Sequence, residues 1–545
     1  MKEIIRDSSK KGLKYAQINQ ILASGYSNAA ASLLKPVFKG WKWEGGAPDD
    51  DIIANLPIIR QRSRQLTMEA PVIAGLYRTL TTNTVGSGLR PEPTPDADYI
   101  KMTPDAVKKW KSQVLRFWET FAETPNCDTY RRDNFYELTR LVSRAQDESG
   151  DCFVTMPRFE RRNAPFSLKI QVVEADCVAD PDGHERVEHE LLGNDIYGGV
   201  ELSEWGHVVG YWFYTGHPLA IRQRHHYNGN NKSLSKWIFI PAYGAETGLP
   251  NVLHLMESVR PGQRRGIPLI APVVELALTL DRYMKAEAIA AQIQAMFTVV
   301  ITSENPDAAV GEMEAMEGDE GEALTDGNDS LITLGNGIVQ YARPGENVTP
   351  VNPSRPTTAF EPFINSVIKM MGPATGMPYE LLLQQFNASY SASRAAMNMA
   401  STNFKVKRSG LINDFCQPIY EAFMDEAVAR GWIYAPGYFD DPIIRRAYTR
   451  CKWNGPGMPQ IDLLKEVQAA EKRIALAFST ASEATSELTG GDFMENLSVR
   501  AREIEAAKAA GLAPTAAEGF TSSAAVKSTD VGTPAEQGDN NGKVF

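Results

Sequence analysis

Residues 259–283 read VRPGQRRGIPLIAPVVELALTLDRY, and the fold turns on them. A Pro-Gly turn carries Arg260, Arg264 and Arg265, and a Gly-Ile-Pro start then opens a long apolar segment. Helical character extends from about Pro268 to Phe297, becoming alanine-rich over KAEAIAAQIQA. At ~1.5 Å per residue, such a helix is about 45 Å long. Its first half is apolar on nearly every side, so it must be covered on nearly every side. A short neighbouring segment cannot cover that length. Copies of the same helix can, and alanine permits their close approach. The helix also carries Glu275, Asp281, Arg282, Lys285 and Glu287, which argues against a plain membrane span.

Working outward, 545 residues make two to four domains or sub-domains the expectation. Apolar residues at 43% and charged residues at 23% place the chain among globular proteins. A net charge of −11 excludes a general nucleic-acid coat, which needs a basic surface. It does not exclude a protein that touches DNA without gripping it. Cys127, Cys152, Cys177, Cys416 and Cys451 are dispersed and form no C-x-x-C, as expected of reduced thiols in a cytosolic setting. The opening MKEIIRDSSKKGLKY lacks the apolar run of a signal peptide.

The pattern between the ends is mainly helical. Residues 1–50 look partly irregular, with Trp41 and Trp43 near Gly45, Gly46 and Pro48 in an arm that packs on something. Asp49, Asp50 and Asp51 mark a helix start, where negative charge is favoured. Leu56, Ile59, Leu66, Ile73, Leu76 and Leu80 follow at helical spacing, with Pro71 as a break or second start. Residues 103–148 predict two more helices. From Asp151 to Pro241 the period changes to two, predicting strands in DCFVTMPRF, SLKIQVVEADCVA, HVVGYWFYT and KWIFIPAY. TVVIT (298–302) and SLITLGNGIVQYA bracket a stretch, Glu304 to Asp329, that holds ten acidic residues and no Lys or Arg. Helices are expected again over 355–372, after the polar QQFNAS, and two or three times within 460–511. The tail from Leu512 has a composition that favours disorder.

Catalytic patterns are incomplete. HELLG (189–193) begins like a zinc-protease helix, but Gly193 stands where the second histidine belongs. DPDG (180–183) suits a turn better than a calcium loop, because Val178 occupies the first ligand position. There is no G-x-x-x-x-G-K-[ST] and no G-x-S-x-G, and VGSGL reads as a turn after a helix. No catalytic residues, no cofactor and no metal site are expected. The nearest enzymatic alternative is a zinc-dependent hydrolase around His184, His189 and Glu190.

Several stretches, in order, resemble the portal proteins of tailed bacteriophages, lambda family. IRQRSRQLTMEAPVIAGLYRTLTTNTVGSGLRPEP (59–93) is similar to the family's N-terminal signature, and HLMESVRPGQRRGIPLIAPVVELALTLDRYMKAE (254–287) to its core signature. GMPYELLLQQFNASYSASRAAM (376–397), FCQPIYEAFMDEAVARG (415–431) and CKWNGPGMPQIDLLKEVQAA (451–470) resemble further blocks. Met68-Glu69-Ala70 departs from the family where asparagine is frequent.

The resemblance implies an α+β, mainly helical protomer, with wing, stem, clip and crown, in a ring of usually twelve copies. It maps residues 1–254 to the wing, 255–297 to a stem helix and 298–352 to the clip. Residues 353–376 map to a second stem helix, 377–432 to a tunnel loop and long wing helix, and 433–511 to wing remainder and crown. The implied partners are further copies of the chain, double-stranded DNA, the terminase large subunit, the major capsid or scaffold protein and a head-completion or adaptor protein. No membrane partner is implied. The implied place is the portal vertex of the virion, with host cytoplasm during assembly. Another self-assembling capsid or adaptor component remains the structural alternative.

In a closed ring, identical helices flank each copy and every head-to-tail contact is satisfied. Arg260, Arg264 and Arg265 are then expected in pairs between subunits, near the DNA path, or in a solvated turn. Glu275, Asp281, Arg282 and Lys285 accompany them along the stem. Gln384, Gln385, Asn387, Ser389, Tyr390, Ser391, Ser393 and Arg394 map to the tunnel loop, whose polar character suits weak DNA contact or an ordinary helix connection. Glu312, Glu314, Glu317, Asp319, Glu320 and Glu322 map to the clip, either facing a basic partner or forming a solvated insertion.

Overall fold

The computed structural model describes residues 45–181, 194–218, 237–296, 300–302, 340–342, 360–386, 389–457 and 463–511. The chain forms two compact units, one built from residues up to 89 and 93–451, the other from 90–92 and 452 onward.

Proline positions set the first helices. Helix α1 (Pro48–Ile52), α2 (Leu56–Glu69) and α3 (Pro71–Thr84) each carry Pro in the first two positions, where a missing N–H costs nothing. Ala70 is extended, so the break expected at Pro71 separates α2 from α3. The glycine turn that closes α3 is a steric requirement. Gly88 has φ +130°, and a Cβ there would lie 2.6 Å from the Tyr136 ring. Strand β1 (Arg90–Pro93) follows. Thr103 caps α4 (Pro104–Ala122), and Asn134 with Glu137 forms a capping box on α5 (Phe135–Ser149). Trp110, Val114, Trp118 and Phe121 make the buried face of α4.

Two antiparallel sheets follow. The first has order β3-β2-β8, from β2 (Asp151–Thr155), β3 (Gln171–Val173) and β8 (Val252–Met256). The second has order β4-β5-β6-β7, from β4 (Asp195–Tyr197), β5 (Val200–Leu202), β6 (Val208–Tyr214) and β7 (Trp237–Pro241). All of β2 is buried, and Phe153 meets Tyr211 and Phe213 of the second sheet at centroid distances of 5.5 and 6.0 Å.

The long helix, α6 (Val274–Met296), begins later than the expected Pro268. A 3₁₀ turn at Ala271–Val273 precedes it. Pro272 lacks an N–H and disfavours helical geometry at Ala271, which delays the start. Strands β9 (Val300–Thr302) and β10 (Gln340–Ala342) pair in parallel. Helices α7 (Phe360–Thr375), α8 (Tyr379–Leu383) and α9 (Tyr390–Leu411) follow. A π turn at Ile412–Cys416 joins α9 to α10 (Gln417–Ala429), and α11 (Pro442–Thr449) completes the first unit. The widened turn sits where Pro418 lacks the N–H that an α-helix would direct at Asp414. One core joins α2, α3, the start of α6, α7 and α9 through Leu66, Ile73, Leu76, Val273, Ile368 and Phe404. A second joins α4, α5 and α10, where Trp118 meets Phe135 at 4.9 Å and Phe423 at 5.2 Å.

The second unit pairs β1 with β11 (Cys451–Asn454) and carries α12 (Leu463–Ala475), α13 (Ala481–Thr489) and α14 (Phe493–Ala509). Its described helices bury Ala470 and Ala484, while α14 buries nothing.

Asp151 ties the first unit together. Its carboxylate is fully buried and accepts from Arg60 Nη2 at 2.5 Å, Arg265 Nε at 2.6 Å and the Gly266 N–H at 3.2 Å. Arg60 comes from α2 and also donates to the Ser149 carbonyl at 2.9 Å. Arg265 donates to the carbonyls of Val178, Gly198 and Ala175, so its fork joins both sheets. His254 of β8 lies 3.4 Å from Asp151 and stacks on Phe153 at 4.2 Å. Burial would push the Asp151 carboxyl up, but the Arg265 and Arg60 guanidiniums overcome it and hold it well below the carboxylate range. Burial lowers Arg60 to about 10, against the pull of Asp151. The chain crosses itself closely here. Gly150 has φ +90°, and a Cβ on Gly266 would lie 1.9 Å from the Gly150 carbonyl oxygen.

Asp151→Asn keeps the volume but leaves two buried guanidiniums uncompensated. A loss of about 3–5 kcal/mol is expected in denaturant unfolding of the first unit. Gly266→Ala forces two backbones apart, and a loss of about 1–3 kcal/mol or more is expected in the same measurement. Burial, opposed by Asp151, holds His254 below the ordinary imidazole range. The folded protein therefore leaves it neutral while the unfolded chain takes up a proton as pH falls through about 6.5. Its contribution is complete above that pH and declines below it. Unfolding midpoints measured from pH 7.5 to 5.5 should fall less steeply in His254→Phe than in the parent.

Candidate assembly site: the arginine turn and the helix it launches

The turn at 259–266 is shaped by Gln263. Its Oε1 accepts from the Val259 and Arg260 N–H groups at 2.9 and 3.2 Å, and its Nε2 donates to the Arg265 carbonyl at 2.8 Å. Arg260 Nη1 meets Asp51 Oδ2 at 2.8 Å, and its Nη2 donates to the Gly46 carbonyl at 3.1 Å. Arg264 pairs with buried Asp49 through its side chain and its backbone N–H, and stands 5.0 Å over the Tyr197 ring. Arg265 is 2% exposed and bound to Asp151.

Within one chain the arginines are already paired, beside the expected pairing between subunits. All three arginines find anionic partners in their own chain, and Arg265 has no surface left to offer. The physical reason is α1, whose aspartates serve its N-terminus and also reach the turn. The acidic triple is visible in the sequence, but no spacing rule links residues more than 200 positions apart. Asp151 was legible only as the start of a strand.

The helix launched by this turn is covered along one stripe. Val273, Ala277, Leu280 and Glu287 are buried, a helical spacing. Tyr283 packs on α7 through Phe363 at 4.7 Å and Phe360 at 5.8 Å. Leu278, Met284 and Ile289 are 37%, 36% and 55% exposed, and Phe363 and Met370 of α7 are 41% and 64% exposed. Glu275 and Arg282 are exposed, and Asp281 pairs with Lys285 at 2.7 Å. Cover on every side, as the sequence demands, is therefore not provided by the described residues of one chain.

The expected tunnel loop divides. Gln384 closes α8 in the left-handed region at φ +54° and is exposed, as are Gln385, Phe386, Ser389 and Ser391. Ser389 accepts from the Ala392 N–H at 3.4 Å and caps α9, so its hydroxyl serves the helix. Ser393 is buried, a correction to its expected place on the channel surface, because one turn past the cap it faces the body. Arg394 is half-buried. Tyr390 is the first residue of α9. Phe386, 48% exposed, is an apolar residue in a loop whose polar neighbours mask it in the sequence. Asn387 and the acidic residues Glu312, Glu314, Glu317, Asp319, Glu320 and Glu322 lie outside the described residues.

The hydrolase residues His184, His189 and Glu190 also lie outside them. Among the described residues, Glu174, Asp176 and His217 bring ligand atoms within 4.8 Å of one another. Arg64 pairs with both carboxylates and Arg60 with Asp176, so guanidiniums already take the place of a cation. No described helix is long and apolar enough to cross a membrane.

Residues 35–408 match the family model described as phage portal protein, lambda family. The chain is 24% identical over 496 residues to Portal protein B of Escherichia phage lambda, covering 88% of this chain and 89% of that protein. It is 23% identical over 510 residues to the portal protein of Escherichia phage N15, covering 90% and 92%. A solved structure described as the neck of a native GTA particle computed with C12 symmetry is similar at a TM-score of 0.39 and 11% identity, covering 80% of this chain and 99% of that one. Over most of its length, and through the arginine turn and long helix that organise it, the chain belongs to the lambda family of phage portal proteins, a structural rather than an enzymatic family.

Proposed function

We propose that this chain closes into a ring of twelve copies at one capsid vertex. There it docks the terminase large subunit and conducts double-stranded DNA inward during packaging and outward during ejection. The observation that carries the ring is the uncovered apolar surface of α6 and α7. Leu278, Met284, Ile289, Phe363 and Met370 form part of a long helical pair that the described residues leave partly exposed. Identical helices in cyclic order cover such a surface without open ends. Family membership supplies the rest of the reading.

Charge supports passage rather than grip. A lining that neutralised many phosphates would hold DNA with salt-dependent affinity and stall it. A chain of net charge −11 avoids that, and Gln384 and Gln385 offer uncharged contact at the proposed tunnel loop. The acidic stretch 304–329 fits a basic surface on a motor or head-completion partner. The major capsid or scaffold protein is the partner proposed for the outer ring during assembly in host cytoplasm.

Native mass with particle images is the direct test. Twelve copies of the 60.1 kDa chain give about 720 kDa and an open axis. A monomer that stays monomeric under capsid-assembly conditions would defeat the reading. Leu278→Lys combined with Met284→Lys should abolish the ring while leaving the circular dichroism of the protomer unchanged. About a third of each side chain is exposed in the protomer, so each substitution removes about 0.5–1 kcal/mol of apolar burial per copy from the interface.

A further inference from the structure

Against the acidic balance of the chain, one surface of the first unit is strongly basic. It is built from two turns, DTYRRD (128–133) and PRFERRNA (157–164). The buried Asp128 carboxylate accepts from the Tyr130, Arg132 and Asp133 N–H groups at 3.1, 2.9 and 3.3 Å, which fixes the first turn. Arg161 donates to the carbonyls of Asp128 and Thr129, which fixes the second turn against the first. Burial lowers the Arg161 and Lys169 pKa values, and the Arg131 charge adds to both shifts, so these cations share one small region.

Arg131, Arg132, Arg158 and Arg162 are exposed and make no ion pair among the described residues. Two aromatic rings belong to the same turns. Tyr130 is 66% exposed, with its hydroxyl accepting from Gln171 Nε2 at 3.1 Å, and Phe159 is 38% exposed with Arg161 stacked 4.8 Å above it. Arg131 has φ +56°, a conformation that a long side chain adopts against steric cost. Strain of that kind, held in place by surrounding hydrogen bonds, gathers at functional surfaces. The fork of each arginine matches a carboxylate in two parallel bonds.

We propose that this surface docks a carboxylate-rich protein segment with apolar side chains between its acidic residues. Three observations favour a peptide over a nucleic-acid duplex. The patch is compact and local, while the whole chain carries −11 and repels an extended polyanion. Glu160 and Asp133 sit within the same turns and interrupt any continuous phosphate track. Tyr130 and Phe159 give apolar residues of a peptide somewhere to pack, which a duplex backbone does not use. The proposal does not rest on the ring reading.

The test uses the full chain and a fluorescein-labelled peptide of alternating glutamate and leucine, followed by fluorescence anisotropy. A matched glutamine-leucine peptide and a labelled DNA duplex complete the set. The acidic peptide should bind, the glutamine peptide should not, and Arg132→Glu/Arg158→Glu/Arg162→Glu should weaken binding at least about tenfold. The corresponding Arg→Gln triple should weaken it by less, and it carries the test if charge reversal prevents folding. Tyr130→Ala should weaken binding without altering its salt dependence. Duplex binding that is tighter and lost in the same variants would overturn the proposal in favour of a nucleic-acid surface. So would absence of peptide binding, or binding that the variants leave unchanged.

Discussion

The fold depends on one buried carboxylate held between two guanidiniums. Asp151 begins the central strand β2, Arg60 reaches it from α2, and Arg265 reaches it from the turn that launches the long helix. A buried ion pair of this kind is weak evidence for net stability, since desolvation offsets much of the attraction. Its effect here is positional. With Arg265 also holding carbonyls of Val178, Gly198 and Ala175, the turn has one orientation relative to both sheets. The direction in which α6 leaves the body is set by that orientation and by the Gly150–Gly266 crossing.

That constraint changes the meaning of the arginine cluster. Arginines at the mouth of an apolar helix invite a reading in terms of neighbours or nucleic acid. In the folded chain they anchor the helix to its own body, through Asp49, Asp51 and Asp151. The surface offered outward is the apolar one beyond them, on α6 and α7. The electrostatic part of the motif is internal, and its hydrophobic part faces outward. The two compact units repeat the contrast. The first has cores around Ile73 and Trp118, and the helices of the second bury few residues of their own.

Much of the element list was legible in the sequence because it rests on local rules. Pro71 ended one helix and began another, residues 103–148 held two helices, and the change of period at Asp151 marked the sheets. The start of α6 was misplaced because Pro268 was read as opening the helix, while Pro272 interposed a 3₁₀ turn. Ser393 was misread because a polar residue in a polar loop carries no signal of which way it faces. Asp151 was invisible as a hub because its partners are 91 and 114 residues away.

By itself, the sequence determined the helical and strand segments, the apolar length of α6 and the resemblance to a portal family. These depend on periodicity, capping and ordered local motifs, all of which act over a few residues. Tertiary structure alone decided which charges pair, which stripe of α6 is buried and which is left uncovered. Those outcomes depend on long-range packing, where a carboxylate takes the nearest guanidinium in space regardless of its distance along the chain.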